Sequence, residues 1–363
     1  MRPSWVEVDL EAIRHNVRAI SAVVAPALYC AVVKADGYGH GDVPVAEAAL
    51  GAGAEWLAVA LVSEGIGLRE AGIDAPILLL SEPVLEDAAE VVRWNLTPTV
   101  YRRSFLEALD GTAPEGYPVH LKVDTGMHRV GALPDEAMDL AAAVASGPLR
   151  LEGVWTHFPV AEEDHEFTAG QVTALEDVLD RLAATAVRPE MVHAANTAGA
   201  LGGLGAGFDM VRVGIGTYGL RPAPGYAPDV DLRPAMSLVS QVVHTRRYPV
   251  GTRVSYGRTR PLRSDATVVT VPVGYADGLS RRLTPVGMAL IGGKRHPFAG
   301  NITMDQTLVD VGDADVAVGD EVVFLGRQGD AEITADEWAE WLGTINWEVL
   351  CGFGPRLPRR YVG

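Results

Sequence analysis

Leu28-Tyr29-Cys30-Ala31-Val32-Val33-Lys34-Ala35-Asp36-Gly37-Tyr38-Gly39-His40-Gly41 passes from an unbroken apolar run into a lysine and then into a glycine-rich turn. A short continuous apolar run bounded by turn residues reads as a strand buried on both faces. Lys34 is one of only three lysines, with Lys122 and Lys294, among 30 Lys and Arg residues. Arginine therefore carries the generic positive charge of this chain. A retained lysine points to chemistry open only to an amine, which can lose its proton when buried and can form an imine. A buried strand that delivers such a lysine into a turn suits a Schiff-base enzyme.

Working outward, Leu10, Ile13, Val17, Ile20 and Val24 fall on one face of a helix. The run at 28–33 is followed by further apolar runs at 56–59, 77–80, 98–100, 119–123, 151–155, 190–193 and 209–213. Helical patterns separate most of them, including 63–71, 85–93, 135–146 and 166–184. This α/β alternation predicts a (β/α)₈ barrel of the TIM type, although a doubly wound open sheet also satisfies it. The polar residues arbitrate. Lys34 follows the first strand, Lys122 ends the fifth and His157 follows the sixth. His193 to Asn196 follow the seventh, and Arg212 with Gly214 mark the eighth. Polar groups at the C-terminal ends of many strands converge on one mouth in a closed barrel.

Beyond about residue 235 helical periodicity fades until 334–342. Runs such as Thr267–Val271, Thr307–Val311 and Glu321–Leu325 are alternating or β-branched, with Gly and Pro between them. The expected organisation is a barrel over 10–233 and a C-terminal mostly-β domain over 234–363, joined by a strand from residues 1–9. The Pro/Gly-rich stretch 222–234 is the linker.

Composition narrows the function. A formal charge of −17 without a basic run argues against nucleic acid and anionic membrane as partners. No apolar stretch is long enough to span a bilayer, and the N-terminal residues lack a signal-peptide core. Two cysteines, Cys30 and Cys351, are too few for a disulfide framework, so a cytoplasmic setting is expected. The nine histidines show no metal-ligand spacing, and no metal is expected. Gly214-Ile215-Gly216-Thr217-Tyr218-Gly219 has dinucleotide-type glycine spacing, but Leu220-Arg221-Pro222 follows instead of a helix. A backbone nest whose Gly214 and Ile215 amides hold a phosphate is the better reading.

Ala31-Val32-Val33-Lys34-Ala35-Asp36-Gly37-Tyr38-Gly39-His40-Gly41 resembles the cofactor-lysine motif of the alanine racemase family, pyridoxal-phosphate enzymes built on a barrel. The resemblance continues in family order through Lys122-Val123-Asp124-Thr125-Gly126-Met127-His128-Arg129, Thr156-His157-Phe158 and His193-Ala194-Ala195-Asn196-Thr197. It extends through Val211-Arg212-Val213-Gly214-Ile215, Val254-Ser255-Tyr256-Gly257, Gly274-Tyr275, Met304-Asp305-Gln306 and Trp347 to Tyr361. It implies pyridoxal 5'-phosphate on Lys34 and a two-base racemisation of alanine, supplying D-alanine for peptidoglycan. Lys34 would serve the D-alanine proton and Tyr256 the L-alanine proton. The family places Tyr256 in the partner subunit's mouth, which implies a homodimer with shared sites. Tyrosine ordinarily keeps its proton at neutral pH, so a base role calls for nearby positive charge.

The resemblance also implies that Arg212 faces the pyridine nitrogen, with His193 orienting it, Asn196 behind it and His157 packed beside the ring. Thr197 and Tyr38 would give hydroxyls to the phosphate that Gly214 and Ile215 hold. Arg129 would contact the cofactor phenolic oxygen and the substrate carboxylate, and a carbamylated Lys122 would fix that arginine. Met304 would offer its N–H to the carboxylate, while Tyr275 and Asp305 narrow the entrance. Four positions depart from the family pattern. Trp347 stands where a phosphate-touching tyrosine is usual, Asn301 and Thr303 replace arginine and cysteine, and His128 replaces glycine. Trp347 keeps open a racemase of broader or serine preference. A non-catalytic pyridoxal-phosphate-binding protein is the alternative from another class.

Overall fold

The computed structural model describes residues 2–185 and 187–363. Contacts divide the chain into two compact units, one of Glu11–Gly37 with Gly41–Arg233, the other of Met1–Leu10, Tyr38–His40 and Pro234–Gly363. The first strand of the chain, β1 (Ser4–Asp9), belongs to the second of these.

The larger unit is a closed barrel of eight parallel strands, as the alternation predicts. They are β2 (Leu28–Val32), β3 (Trp56–Val59), β4 (Ile77–Leu79), β5 (Thr97–Val100), β6 (Tyr117–Lys122), β7 (Leu149–Trp155), β8 (Met191–His193) and β9 (Met210–Val213). Closure is direct, with Cys30 of β2 opposite Arg212 of β9. The first helix, Leu10–Val24, buries Ile13, Val17, Ile20 and Val24, the predicted stripe. Helices Val62–Glu70, Pro134–Ser146 and His165–Ala184 lie within a residue of their sequence patterns.

The barrel interior is polar in part. Trp56 of β3 meets His120 of β6 at 5.4 Å between ring centroids. These strands are not hydrogen-bonded neighbours, so the contact crosses the lumen. Gly153, opposite His120 on β7, makes room for it, since a Cβ there would lie 2.4 Å from His120 Nδ1.

The smaller unit is mostly β. Its later strands are β10 (Met236–Gln241), β11 (His244–Tyr248), β12 (Ala266–Val271), β13 (Met288–Ile291), β14 (Lys294–Pro297), β15 (Thr307–Gly312), β16 (Glu321–Gln328), β17 (Ala331–Ile333) and β18 (Arg359–Val362). One sheet runs β14-β13-β16-β10-β1-β18 with β17 on β16, and a second runs β11-β12-β15. Helices Ala335–Leu342 and Asn346–Cys351 follow β17. The first was expected near 334–342; its N-cap is Thr334, whose hydroxyl accepts from Glu337 N–H while Glu337 reaches back, a reciprocal cap.

Candidate active site

β2 releases the chain into an unusual turn at Lys34. Ala35, Asp36 and Gly37 lie at φ 54, 54 and 58°, and Tyr38 follows at 52°. A left-handed conformation costs a non-glycine residue roughly 1–2 kcal/mol, so the turn needs outside support. Within the barrel unit, Glu64 supplies it. One carboxylate oxygen accepts Ala35 N–H at 2.7 Å, and the other accepts the N–H groups of Ala60 and Leu61 at 2.8 and 3.0 Å. Gly37 N–H to Val33 O (2.9 Å) and Gly41 N–H to Asp36 O (2.8 Å) close the turn. Lys34 is half-buried.

On the adjacent strand, the end of β9 places Arg212, buried at 2% exposure. Its Nη1 lies 2.7 Å from His193 Nδ1, and Nη2 donates to the carbonyls of Thr156 and Ala194 at 2.8 and 3.0 Å. His157 Nδ1 lies 3.3 Å from the same Nη2. These partners are neutral, and Arg212 has no carboxylate partner among the described residues. Burial lowers its pKa only to about 10, so the guanidinium stays charged near neutrality.

His193 continues inward. Its Nε2 lies 2.8 Å from His120 Nδ1, and His120 Nε2 lies 3.1 Å from Glu152. Arg150 in turn holds Glu152 at 3.1 Å and Glu190 at 2.5 Å. Burial, and then the Arg212 charge, push His193 well below the ordinary histidine range. Burial also lowers His120, against the pull of Glu152. Burial lowers His157 strongly, and Arg212, Lys122, Arg129 and Lys34 add to it.

Lys122 ends β6 and is 3% exposed. Burial first, then Arg212 and Arg129, lower its amine to about 7. Trp155 supplies an aromatic surface to both cations, with Lys122 Nζ 4.3 Å and Arg212 Cζ 4.4 Å from its centroid. Arg129 is exposed, in a groove of about 710 Å³ that Tyr101, Arg102 and Arg103 also line. His128 has φ 54°, a left-handed value that glycine favours, and Asp124 accepts its N–H at 3.0 Å.

Asn196 is the N-cap of the short helix Thr197–Gly202, accepting Gly199 N–H at 3.0 Å and donating to Phe158 O at 3.1 Å. Thr197 Oγ1 accepts the N–H of Gly214 at 3.2 Å. Gly214-Ile215 opens a single 3₁₀ turn, Ile215–Tyr218, stopped by left-handed Gly219. The glycine spacing therefore marks one tight turn, not the start of a dinucleotide-binding helix.

The other predicted residues belong to the mostly-β unit. Tyr256, Tyr275, Met304 and Asp305 line one groove of about 740 Å³ with Arg281. Tyr256 is 77% exposed. Tyr275 N–H donates to Thr303 O and Ala276 N–H to Met304 O, both at 3.0 Å, so two turns are stitched together. Arg356 holds Asp305 at 2.7 Å. Tyr38 is buried and its hydroxyl pKa is pushed up by burial, then by Cys351. Trp347 is half-buried in Asn346–Cys351.

Sequence reasoning missed His120, Glu152 and Trp155. Their one signal was a polar or bulky residue inside an apolar strand run. Among the described residues no group of three or more His, Cys, Asp or Glu is arranged to hold a metal ion. No helix there is long and apolar enough to cross a membrane.

Family models described as the alanine racemase N-terminal and C-terminal domains match residues 8–222 and 235–361. The chain is 45% identical over 369 residues to an alanine racemase of Symbiobacterium thermophilum, covering 100% of this chain and 98% of the relative. It is 42% identical over 369 residues to one of Carboxydothermus hydrogenoformans, covering 100% of both. A solved alanine racemase of D-cycloserine-producing Streptomyces lavendulae superposes with a TM-score of 0.94 at 36% identity, covering 100% of this chain and 98% of that one. One from Bacillus anthracis with bound L-Ala-P gives 0.93 at 37%, covering 100% and 96%. Two family models that together account for nearly the whole chain, and relatives matched from end to end, place this protein in the alanine racemase family.

Proposed function

We propose that this chain is an alanine racemase that interconverts L- and D-alanine with pyridoxal 5'-phosphate. The observation that carries the reading is the charge state of the barrel mouth. Lys34, Arg129 and Arg212 all lie close enough to Lys122 to lower its amine, with Asp124 opposing them. In a chain of net charge −17, such a concentration of cations fits an anionic ligand. The donor set suits a phosphorylated aldehyde with a phenolic oxygen, and the family is pyridoxal-phosphate-dependent.

Lys34 would hold the aldehyde carbon. Thr197, Tyr38 and the Gly214–Ile215 turn would hold the phosphate, with Trp347 in place of the usual tyrosine. Arg212 would meet the ring nitrogen, with His157 beside the ring and Asn196 fixing the loop below. Once bound, the cofactor supplies an electron-withdrawing ring that makes the substrate Cα proton removable.

The protein residues do the rest. Arg212 keeps its own proton and so withholds one from the ring nitrogen, which restrains side reactions. His193 fixes the guanidinium. Arg129 and the Met304 N–H receive the substrate carboxylate, while Tyr275 and Asp305 restrict entry to small side chains. In the D-to-L direction Lys34 takes the Cα proton and the Tyr256 hydroxyl gives one to the opposite face. The L-to-D direction reverses both transfers. Tyr256 comes from the other subunit of a homodimer. The near-neutral amine of Lys122 can add carbon dioxide, and the carbamate would anchor Arg129. A cytoplasmic enzyme of this kind supplies D-alanine for peptidoglycan.

Purified, cofactor-loaded protein incubated separately with L-alanine, L-serine and L-lysine, with chiral product analysis, tests the reading. D-alanine should dominate. Dominant D-serine would move the specificity to the Trp347 alternative, and no product from any substrate would overturn the racemase reading.

A further inference from the structure

The turn that carries Tyr256 has a strained backbone, braced from its own segment by Arg253, whose Nη1 donates to Arg258 O at 3.0 Å and Thr259 O at 3.3 Å. Ser255, Gly257 and Arg258 sit at φ 64, 73 and 46°, and two of the three are not glycine. One residue on another segment grips this turn. Asn301 Nδ2 donates to the Tyr256 carbonyl at 2.7 Å, and its own carbonyl accepts from Ser255 Oγ at 2.5 Å. Asn301 Oδ1 lies 3.5 Å from Thr259 Oγ1. The two segments lie back to back because glycines permit it. A Cβ on Gly300 would come within 2.5 Å of Val254 O, and one on Gly257 within 3.2 Å of Asn301 Nδ2.

Asn301 also begins the segment that carries Met304 and Asp305. Thr303 Oγ1 closes that segment by donating to Gln306 O at 2.8 Å, and Thr303 O receives Tyr275 N–H at 3.0 Å. Residues 301–306 thus tie the turn of Tyr256 to the turn of Tyr275, and the groove between them is lined by all four candidate residues.

We propose that Asn301 is a positioning residue for Tyr256, fixing the turn that aims the tyrosine hydroxyl and locking it to the Met304 segment. The proposal rests on the reading of Tyr256 as the base for the L-alanine proton. An arginine at this position would carry a charge on a longer stem. The short amide instead gives an Nδ2–H to the Tyr256 backbone, so the two departures Asn301 and Thr303 act together as a clamp.

The test has two readouts on Asn301→Ala, Asn301→Asp and Asn301→His, with Tyr256→Phe in parallel. The first is amide hydrogen exchange in the cofactor-free protein. Asn301→Ala should speed exchange at Gly257 and Arg258 by roughly tenfold, the equivalent of one lost hydrogen bond, without moving β12 or β15. Asn301→Asp, nearly isosteric, turns a carboxylate toward the Tyr256 carbonyl and should behave like Asn301→Ala even if the alanine variant folds poorly. Asn301→His carries Nδ1–H at the same chain position as Nδ2 and should restore protection.

The second readout is solvent-deuterium exchange at Cα in the loaded enzyme. Exchange into L-alanine should fall roughly tenfold in Asn301→Ala while exchange into D-alanine and both KM values change little. If Tyr256→Phe lowers both exchanges equally, the base assignment itself fails. If Tyr256→Phe is asymmetric but Asn301→Ala and Asn301→Asp leave turn protection and the L-side exchange unchanged, the Asn301 proposal alone is overturned.

Discussion

Nη1 of Arg212 lies 2.7 Å from Nδ1 of His193 and, because arginine can only donate, makes that nitrogen an acceptor. The consequence runs through the barrel. With Nδ1 unprotonated, the proton of His193 sits on Nε2 and points at His120 Nδ1, 2.8 Å away. His120 must then accept there and carry its own proton on Nε2, facing Glu152 at 3.1 Å. A positive charge at one end and a carboxylate at the other leave both rings neutral, in a single tautomer. Nitrogen NMR of ¹⁵N-histidine-labelled protein should show unprotonated Nδ1 in both residues from about pH 6 to 8. A protonated Nδ1 on His193 would contradict the donor order.

Three buried or half-buried histidines held neutral make the protein acid-sensitive. His120, His157 and His193 are all lowered, chiefly by burial. In the unfolded chain each regains an ordinary value of about 6.5, so below that pH the unfolded state binds protons that the folded state refuses. Stability is therefore full above about pH 6.5 and falls as pH drops, by up to about 1.4 kcal/mol per pH unit for each such histidine. Urea midpoints at pH 7.5 and 5.5 measure the slope. His157→Gln should make it shallower.

Lys122 acts in the opposite range. Its amine is lowered to about 7 in the folded chain, against an ordinary 10.5. Between these values the unfolded chain carries a proton that the folded chain lacks, so this site makes stability rise with pH from about 7 to 10.5. In cofactor-free protein, Lys122→Met should raise the urea midpoint at pH 6.5 and have progressively less effect toward pH 10. Bicarbonate enriched in ¹³C should give a carbamate signal in the wild type that the variant lacks. A Lys122 that titrates near 10 would remove the basis for both effects.

Asp277 is completely buried and accepts from Arg2 at 2.6 and 3.0 Å and from Gly274 N–H at 2.9 Å, with Arg356 at 3.4 Å. It thereby fixes the start of the Tyr275 turn. Asp277→Asn leaves two guanidinium groups facing a neutral amide and should cost roughly 3 kcal/mol. Thermal unfolding of the variant measures this directly. An unchanged melting temperature would mean that the turn is held by its backbone bonds alone.

Much of this architecture was legible because barrel strands are apolar runs with turns at both ends. The run 56–59 is β3 itself, and most other strand ends fall within two residues of expectation. What stayed hidden depends on contacts across space. Nothing local marks His120 as the partner of His193, since the two lie 73 residues apart on strands that do not pair. The glycines announced a turn after Lys34, but nothing local showed that its left-handed stretch begins as early as Ala35, a residue that rarely takes a positive φ. The grip of Asn301 on Tyr256 was visible only as an unexplained change of residue type. In the mostly-β unit, strand-like patches were readable but their partners were not, as pairing there joins residues far apart in the chain.

β1 lies between β10, antiparallel to it, and β18, parallel to it. This arrangement imposes an order on biosynthesis. Residues 11–233 can assemble their barrel as soon as they leave the ribosome, because every strand of that ring is already in hand. Residues 4–9 emerge before any of it, yet their neighbours at 236–241 and 359–362 are translated hundreds of codons later. Until β10 is translated Trp5, Val6 and Val8 have no strand partner, and the other edge of β1 stays open until β18 arrives at the very end. A nascent-chain binder able to shield a short apolar strand would act there, and clipping of this segment before translation ends would be a characteristic way for the chain to fail.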